Sequence, residues 1–278
     1  MLERRDYQEG FVTIKGYRVH YVEWGKTGEE IVVLHGTAAF DSAHNHDDLC
    51  DSLSDRYHIL AFDLLGHGES DDPSEPLGFE EHADIMLEAA RAKGFRKVVL
   101  MGYSFGGWIS MRYAANYPED VDKVVILDIA PRTWAPTIAR SDFFKDETTP
   151  EYFGSKDEAV NYILSRWPLV PRRWTEHQVK HFSKDVEGRL LTPSHPRRWA
   201  NLRLDGDGWS FFREIKAPIL LIRGSESTLA TSEEAEKMRL VNKNLEVATI
   251  EGATHLVPIT NAEEVLKAVR AFLREDCA

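Results

Sequence analysis

Residues 98–106 read Val98-Val99-Leu100-Met101-Gly102-Tyr103-Ser104-Phe105-Gly106. The first four form a continuous apolar run, the mark of a strand buried on both faces. Phe105 to Tyr117 follows with a helical pattern and stops before Pro118, because proline disfavours helix in the residue ahead of it. Between strand and helix sits G-x-S-x-G. A strand that turns sharply into a helix forces the central residue into a strained backbone conformation, and the flanking glycines leave room for the crossing. The serine hydroxyl then projects from the carboxyl edge of the sheet. Phe105 N–H falls at the positive end of the helix, where it can hold a developing oxyanion. In this context Ser104 is a candidate nucleophile.

The flanking sequence repeats the same alternation. Phe11 to Ile14 and Tyr17 to Trp24 predict an antiparallel hairpin around Lys15-Gly16. Ile31 to Leu34 ends at His35-Gly36, His58 to Phe62 ends at Asp63, and Val124 to Leu127 ends at Asp128. Glu80 to Lys93 is a helix with Ala83, Met86, Leu87 and Ala90 on its apolar face, stopped by Gly94. Pro218 to Ile222 and Leu245 to Ile250 are two more strands, and Ser232 to Val241 a helix. Asn261 to Arg274 closes the pattern as a helix, with Asn261 at N-cap and Glu264 at N3. Such alternation predicts a mostly parallel eight-stranded sheet with helices on both faces.

The pattern breaks from Pro131 to about Arg213. Five of the seven tryptophans lie there (Trp134, Trp167, Trp174, Trp199 and Trp209), among prolines and the pairs Arg172-Arg173 and Arg197-Arg198. This predicts a mostly helical insertion after the sixth strand. The core then comprises residues 1–130 and 214–278, and the lid residues 131–213.

Composition excludes several classes. The 278 residues are 42% hydrophobic and 29% charged, which is ordinary for a folded globular chain. The net charge of −12 provides no basic footprint for nucleic acid and argues against an anionic membrane surface. Cys50 and Cys277 are the only cysteines. They form no disulfide framework and suit a reducing compartment. The N-terminus lacks a secretory apolar region and no run approaches 18 apolar residues, so the expected location is the cytoplasm.

A serine hydroxyl needs a base. His255, in Gly252-Ala253-Thr254-His255-Leu256, follows the last strand. A loop there faces the same sheet edge as Ser104. Nucleophile first and histidine late is the chain order Ser…Asp/Glu…His.

Four motifs together carry a family resemblance: His35-Gly36-Thr37, Asp63-Leu64-Leu65-Gly66-His67-Gly68-Glu69-Ser70, the Ser104 elbow and the His255 loop. The chain resembles an α/β-hydrolase fold protein with a lid over nearly its whole length. The resemblance implies Thr37 and Phe105 as backbone donors of an oxyanion hole. It makes the Asp63–Ser70 stretch a structural turn, with no catalytic role for His67. Many family members carry the third triad residue in a G-x-x-D pattern after the seventh strand. Here that stretch is Gly224-Ser225-Glu226-Ser227. Some relatives place the acid after the sixth strand, where this chain has Asp128. Asp128 is therefore favoured, with Glu226 the alternative.

The implied activity is serine hydrolysis of small carboxylic esters or lactones with an apolar portion, through an acyl-enzyme. Epoxide hydrolase and haloalkane dehalogenase relatives carry aspartate at the elbow, which Ser104 replaces. C–C hydrolases commonly carry tryptophan after the histidine, where this chain has Leu256. C–C or amide hydrolysis, or a slow-turnover ligand receptor with the same triad, are the alternatives. No dinucleotide, phosphate-loop or zinc-protease motif is present, so no cofactor is expected. Asp41-Ser42-Ala43-His44-Asn45-His46-Asp47-Asp48 resembles a metal site in composition. His44 and His46, two residues apart, cannot share a helix face. The segment is read as a polar loop with Asp47 and Asp48 in the first turn of a helix, and no metal is expected. The insertion's tryptophans are read as lid core or as the wall of an apolar pocket, and its arginine pairs as solvated lid surface, with bidentate recognition of a substrate carboxylate as the alternative.

Overall fold

The apolar runs become strands whose side chains alternate between two cores. The computed structural model describes residues 7–38, 40–138, 149–185, 187–193 and 203–273. The strands of the main sheet are β1 (Tyr7–Ile14), β2 (Tyr17–Trp24), β3 (Glu29–Leu34), β4 (Tyr57–Phe62), β5 (Val98–Tyr103) and β6 (Val121–Leu127), joined later by β11 (Ile219–Gly224) and β12 (Leu245–Ile250). Their spatial order is β1-β2-β4-β3-β5-β6-β11-β12. β1 and β2 are antiparallel, β2 runs antiparallel to β4, and every later neighbour pair is parallel.

Val32, Leu34, Leu100, Val124, Ile126 and Leu221 face one core. Val33, Met101, Val125, Leu127, Leu220 and Ile222 face the other. This is why the central strands read as unbroken apolar runs rather than as alternating ones. The first core is covered by α2 (Phe79–Ala92), α3 (Phe105–Asn116), α6 (Gly208–Glu214) and α7 (Ser232–Val241). The second is covered by α1 (Asp47–Leu53), the short α8 (Val257–Thr260) and α9 (Ala262–Leu273). Cys50 is buried in this second core as a free thiol, and Cys277 lies outside the described residues.

The described part of the stretch after β6 carries helices, as expected, together with strands that were not. It contains α4 (Lys156–Arg166) and α5 (Arg172–Lys180), but also two small antiparallel sheets. One pairs β7 (Thr133–Ile138) with β10 (Arg203–Asp207), and the other pairs β8 (Tyr152–Phe153) with β9 (Leu190–Leu191). Strands of two to six residues are too short to show a period of two against an aromatic, proline-broken background. Phe153, Ile163, Val179, Phe182 and Leu190 form a separate apolar cluster there. Phe40, from the loop after β3, joins it and stacks on Phe182 with ring centroids 5.8 Å apart. α6 runs across the 213/214 boundary and packs Phe211 and Phe212 into the first core beside α3.

Candidate active site

Ser104 sits between β5 and α3 with φ +51° and ψ −115°. This is a strained conformation for a residue with a side chain. The bend is tight because its glycines have no room for a Cβ. At Gly102 a Cβ would drive into the Gly106 carbonyl and Ser110 Oγ, and at Gly106 into the Leu34 carbonyl. Ser104 N–H donates to the Leu127 carbonyl at 3.1 Å, tying the bend to the end of β6.

Asp128 is the next residue after that strand and also holds a positive φ, +54°. Its side chain is fully buried, and three donors converge on it. Gly224 N–H reaches Oδ1 at 2.8 Å, while the Ser227 hydroxyl and His255 Nδ1, the latter at 2.8 Å, both reach Oδ2. His255 Nε2 lies 3.1 Å from Ser104 Oγ. Ser104, His255 and Asp128 thus form one hydrogen-bonded chain, drawn from the ends of β5, β12 and β6. The buried Asp128 oxygens fix the imidazole with Nδ1–H toward the carboxylate and leave Nε2 as acceptor for the serine hydroxyl. Tyr103 supports the ring from one side. It stacks on His255 at 5.1 Å, and its hydroxyl donates to the His255 carbonyl at 3.2 Å. Burial pushes the Tyr103 phenol well above its usual range, so it remains a donor.

Glu226 is exposed, and its backbone N–H binds the Ala253 carbonyl at 2.9 Å. Its carboxylate has no place in the chain of bonds. Ser227 holds the position where the G-x-x-D pattern expects an acid, and its hydroxyl binds the Asp128 carboxylate at the end of β6. Sequence reasoning missed this contact, although the hydroxyl at that position was the visible signal.

The His35–Thr37 loop passes against Ser104. A Cβ on Gly36 would stand 3.3 Å from Ser104 Cβ. Thr37 is buried, and Phe105 opens α3, where backbone N–H groups have no intrahelical acceptor. Asp41, read in the sequence only as part of a polar loop, braces this loop. Its Oδ2 accepts from Ala38 N–H at 2.7 Å and its Oδ1 from Asn45. Burial pushes its carboxyl above the usual range. His35 Nδ1 donates to the Gly36 carbonyl at 2.7 Å and its Nε2 accepts from Leu64 N–H at 3.0 Å. That N–H belongs to the Asp63–Ser70 turn. Asp63 organises the turn by accepting from His20 Nδ1, Ala43 N–H and Glu69 N–H at 2.8, 2.6 and 2.8 Å. The His20 contact counters burial and holds the Asp63 carboxyl well below the usual range. His67 is buried inside the turn against His35.

The described tryptophans of the insertion serve different ends. Trp167 joins the separate apolar cluster, Trp174 Nε1 donates to the Asn45 carbonyl at 3.1 Å, and Trp209 lies under the Lys237 ammonium at 3.8 Å. The Trp134 side chain, Pro196, Arg197, Arg198 and Trp199 lie outside what is described. Arg172 and Arg173 are exposed and pair with Glu176 and Asp48 at 3.5 and 3.8 Å. A cleft of about 790 Å³ bounded by Arg132, Trp209, Glu234 and Lys237 contains none of the three linked residues. Among the described residues no helix is long and apolar enough to cross a membrane.

Comparison with known proteins agrees with this architecture. The chain is 26% identical to 2-(acetamidomethylene)succinate hydrolase of Mesorhizobium japonicum, covering 89% of this chain and 88% of that protein. It is 25% identical to a putative esterase/lipase of Haemophilus influenzae, over 95% and 90% of the two chains. The crystal structure of E-2-(acetamidomethylene)succinate hydrolase superposes with a TM-score of 0.82 at 24% identity, covering 97% of this chain and 100% of the other, which shows a shared fold. The family model for the alpha/beta hydrolase fold matches residues 30–262. The chain belongs to the alpha/beta hydrolase fold family.

Proposed function

We propose that this protein is a serine hydrolase that cleaves small carboxylic esters or lactones, with Ser104 as nucleophile, His255 as base and Asp128 as acid. The observation that carries this reading is the continuous Ser104–His255–Asp128 hydrogen-bond chain at 3.1 and 2.8 Å, set on a strained elbow. Ser104 Oγ attacks the acyl carbonyl carbon while its proton passes to His255 Nε2. The C=O electron pair moves onto oxygen, and the backbone N–H groups of Thr37 and Phe105 bind that oxyanion. As the tetrahedral intermediate collapses, the C–O bond to the alkoxy group breaks. His255 returns the proton to that oxygen, and the alcohol leaves an acyl-Ser104 ester. Water repeats the sequence and releases the acid. Buried Asp128 stabilises the imidazolium in both halves and never itself takes the proton. Residues 131–213 form the lid over the core of 1–130 and 214–278, and shape the acyl and alcohol pocket.

A second reading, amide hydrolysis, draws on the relative whose named substrate carries an acetamido group. The same groups would protonate a nitrogen leaving group. A third, a slow-turnover receptor, differs only in deacylation. Stopped-flow release of p-nitrophenol from p-nitrophenyl acetate tests the proposal. Wild type is expected to show a burst followed by steady turnover, and Ser104→Ala is expected to lose about 10³- to 10⁶-fold in kcat with its fold intact. A Ser104→Ala protein within tenfold of wild type would overturn the assignment. A burst without steady release would favour the receptor, and faster turnover of an N-acyl than an O-acyl substrate would favour the amidase.

A further inference from the structure

Away from the triad, four side chains from two distant parts of the chain converge. His44 and Asp47 stand three residues apart where the 3-10 turn Ala43–His46 runs into α1. His177 and His181 stand four apart on α5 and its C-terminal cap. Each pair therefore shares one face of its helical segment. One donor atom from each of the four lies within 4.8 Å of the other three. The segment expected to be a polar loop is buried, with His44 and Asp47 4% exposed, and His177 on α5 is 9% exposed. The His44–His46 pairing considered in the sequence is not the one the fold uses. His44 works with Asp47, and the remaining partners come from α5, with His177 lying 130 residues beyond Asp47.

Two further observations point to a cation. Asp47 Oδ2 receives His44 Nδ1 at 3.1 Å and His177 Nε2 at 2.6 Å, but its other oxygen, Oδ1, is buried with no hydrogen-bond partner. The ring of His181 stacks on that of His44 at 3.7 Å, an arrangement that has to open before both rings can turn a lone pair toward one ion. Glu9 Oε2 lies 3.4 Å from His44 Nε2, the ring nitrogen turned away from Asp47. A metal-bound imidazole commonly gives its second N–H to a carboxylate placed this way. Bonds that involve none of the four donor atoms already hold α5 on the turn: Gln178 Nε2 donates to the His44 carbonyl at 2.9 Å and Trp174 Nε1 to the Asn45 carbonyl at 3.1 Å.

We propose that His44, Asp47, His177 and His181 bind one divalent transition-metal ion of the zinc class, fastening α5 to the segment that enters α1. Three imidazoles and one carboxylate suit zinc or cobalt and do not suit calcium or magnesium, which take oxygen ligands. A tetrahedral ion with bonds of about 2.0–2.2 Å sets its donors roughly 3.3–3.6 Å apart, so donors up to 4.8 Å apart draw in while Asp47 Oδ2 and His177 Nε2, 2.6 Å apart, separate. Four protein ligands close the coordination sphere, so the ion is structural and takes no part in ester chemistry. Protons now on the coordinating nitrogens leave to solvent or move to the opposite ring nitrogen, as from His44 Nδ1 to Nε2 beside Glu9.

The test uses the full chain, stripped with EDTA, desalted and titrated with CoCl2 and ZnCl2. The expected result is one Co²⁺ per chain at micromolar concentration, with the visible absorption of a tetrahedral site, displaced by one Zn²⁺. Zinc is expected to raise the melting temperature. H177Q/H181Q is expected to lose at least 100-fold in affinity, and Glu9→Gln to bind one ion about 10- to 100-fold more weakly. If the double variant fails to fold, the wild-type stoichiometry and spectrum decide alone. Wild-type protein that takes up no stoichiometric ion, or a folded double variant that binds as tightly as wild type, overturns the proposal and leaves a cluster held by protons only.

Discussion

Asp128 receives three hydrogen bonds at two buried oxygens, so its carboxylate cannot rotate without breaking at least one of them. That rigidity aims Oδ2 at His255 Nδ1. Asp128→Asn is expected to lower kcat on p-nitrophenyl acetate by about 10⁴-fold, because an amide no longer selects the productive imidazole tautomer. Glu226→Gln should leave kcat within about twofold, since exposed surface changes away from the chemistry have small effects. Equal losses in the two variants would contradict the geometry. Ser227 allows a sharper test. Its hydroxyl already binds the Asp128 oxygen used by His255, so a carboxylate at 227 would come within reach of the same imidazole. D128N/S227D is expected to recover at least tenfold over Asp128→Asn in the same assay, whereas no recovery would mean that only the β6 position can orient His255.

The elbow depends on the absence of two methyl groups. A Cβ at Gly102 would meet the backbone carbonyl of Gly106, which belongs to the first turn of α3 and cannot yield as a flexible side chain would. Gly102→Ala is expected to cost about 1–3 kcal/mol, the usual penalty of forced overpacking. Urea unfolding followed by circular dichroism would read this as a lower midpoint, and an unchanged midpoint would show that the bend has slack. Elements of this kind were legible because their causes are local: an apolar run, a glycine-serine turn and a helical period lie within twenty residues of one another. β7 and β10 were not legible, because they are defined by pairing Thr133 with Asp207 and Ile138 with Arg203 across a long separation. Asp128 fell between these cases. Its place after β6 was visible, but its bond to Ser227 exists only because β11 lies beside β6. The His44–Asp47 half of the cluster was visible as a composition signal, but its convergence with α5 had none.

At the scale of the whole molecule, the sheet is sealed by helical layers on both faces, and sealing traps ionisable groups as well as apolar ones. His82 lies on α2 in the layer over the first core. It is 2% exposed, and its ring is 5.7 Å from that of Phe105. Burial pushes its imidazole down to about 4. In the unfolded chain the same group titrates near 6.5. Between these two values the unfolded state binds a proton that the folded state refuses, so stability falls as pH drops from about 6.5 to about 4 and levels off for this group below that. The window spans about 2.5 pH units, which corresponds to roughly 3 kcal/mol at 1.36 kcal/mol per unit. Asp63 acts at lower pH. Its carboxyl is depressed in the fold, so its contribution is present above the ordinary aspartate range and is lost only as pH falls below that range. His82 therefore acts on the upper part of the acid limb, together with His46, whose imidazole burial also lowers to about 4, and Asp63 acts on the lower part. His82→Leu removes the proton-binding site while keeping a buried side chain of similar bulk. Urea unfolding free energies at pH 7.0 and 4.5 should differ by roughly 2–3 kcal/mol less in the variant than in wild type. If both proteins lose the same free energy between those pH values, His82 is not excluded from protonation by the fold, and the acid limb must originate elsewhere in the sealed layers.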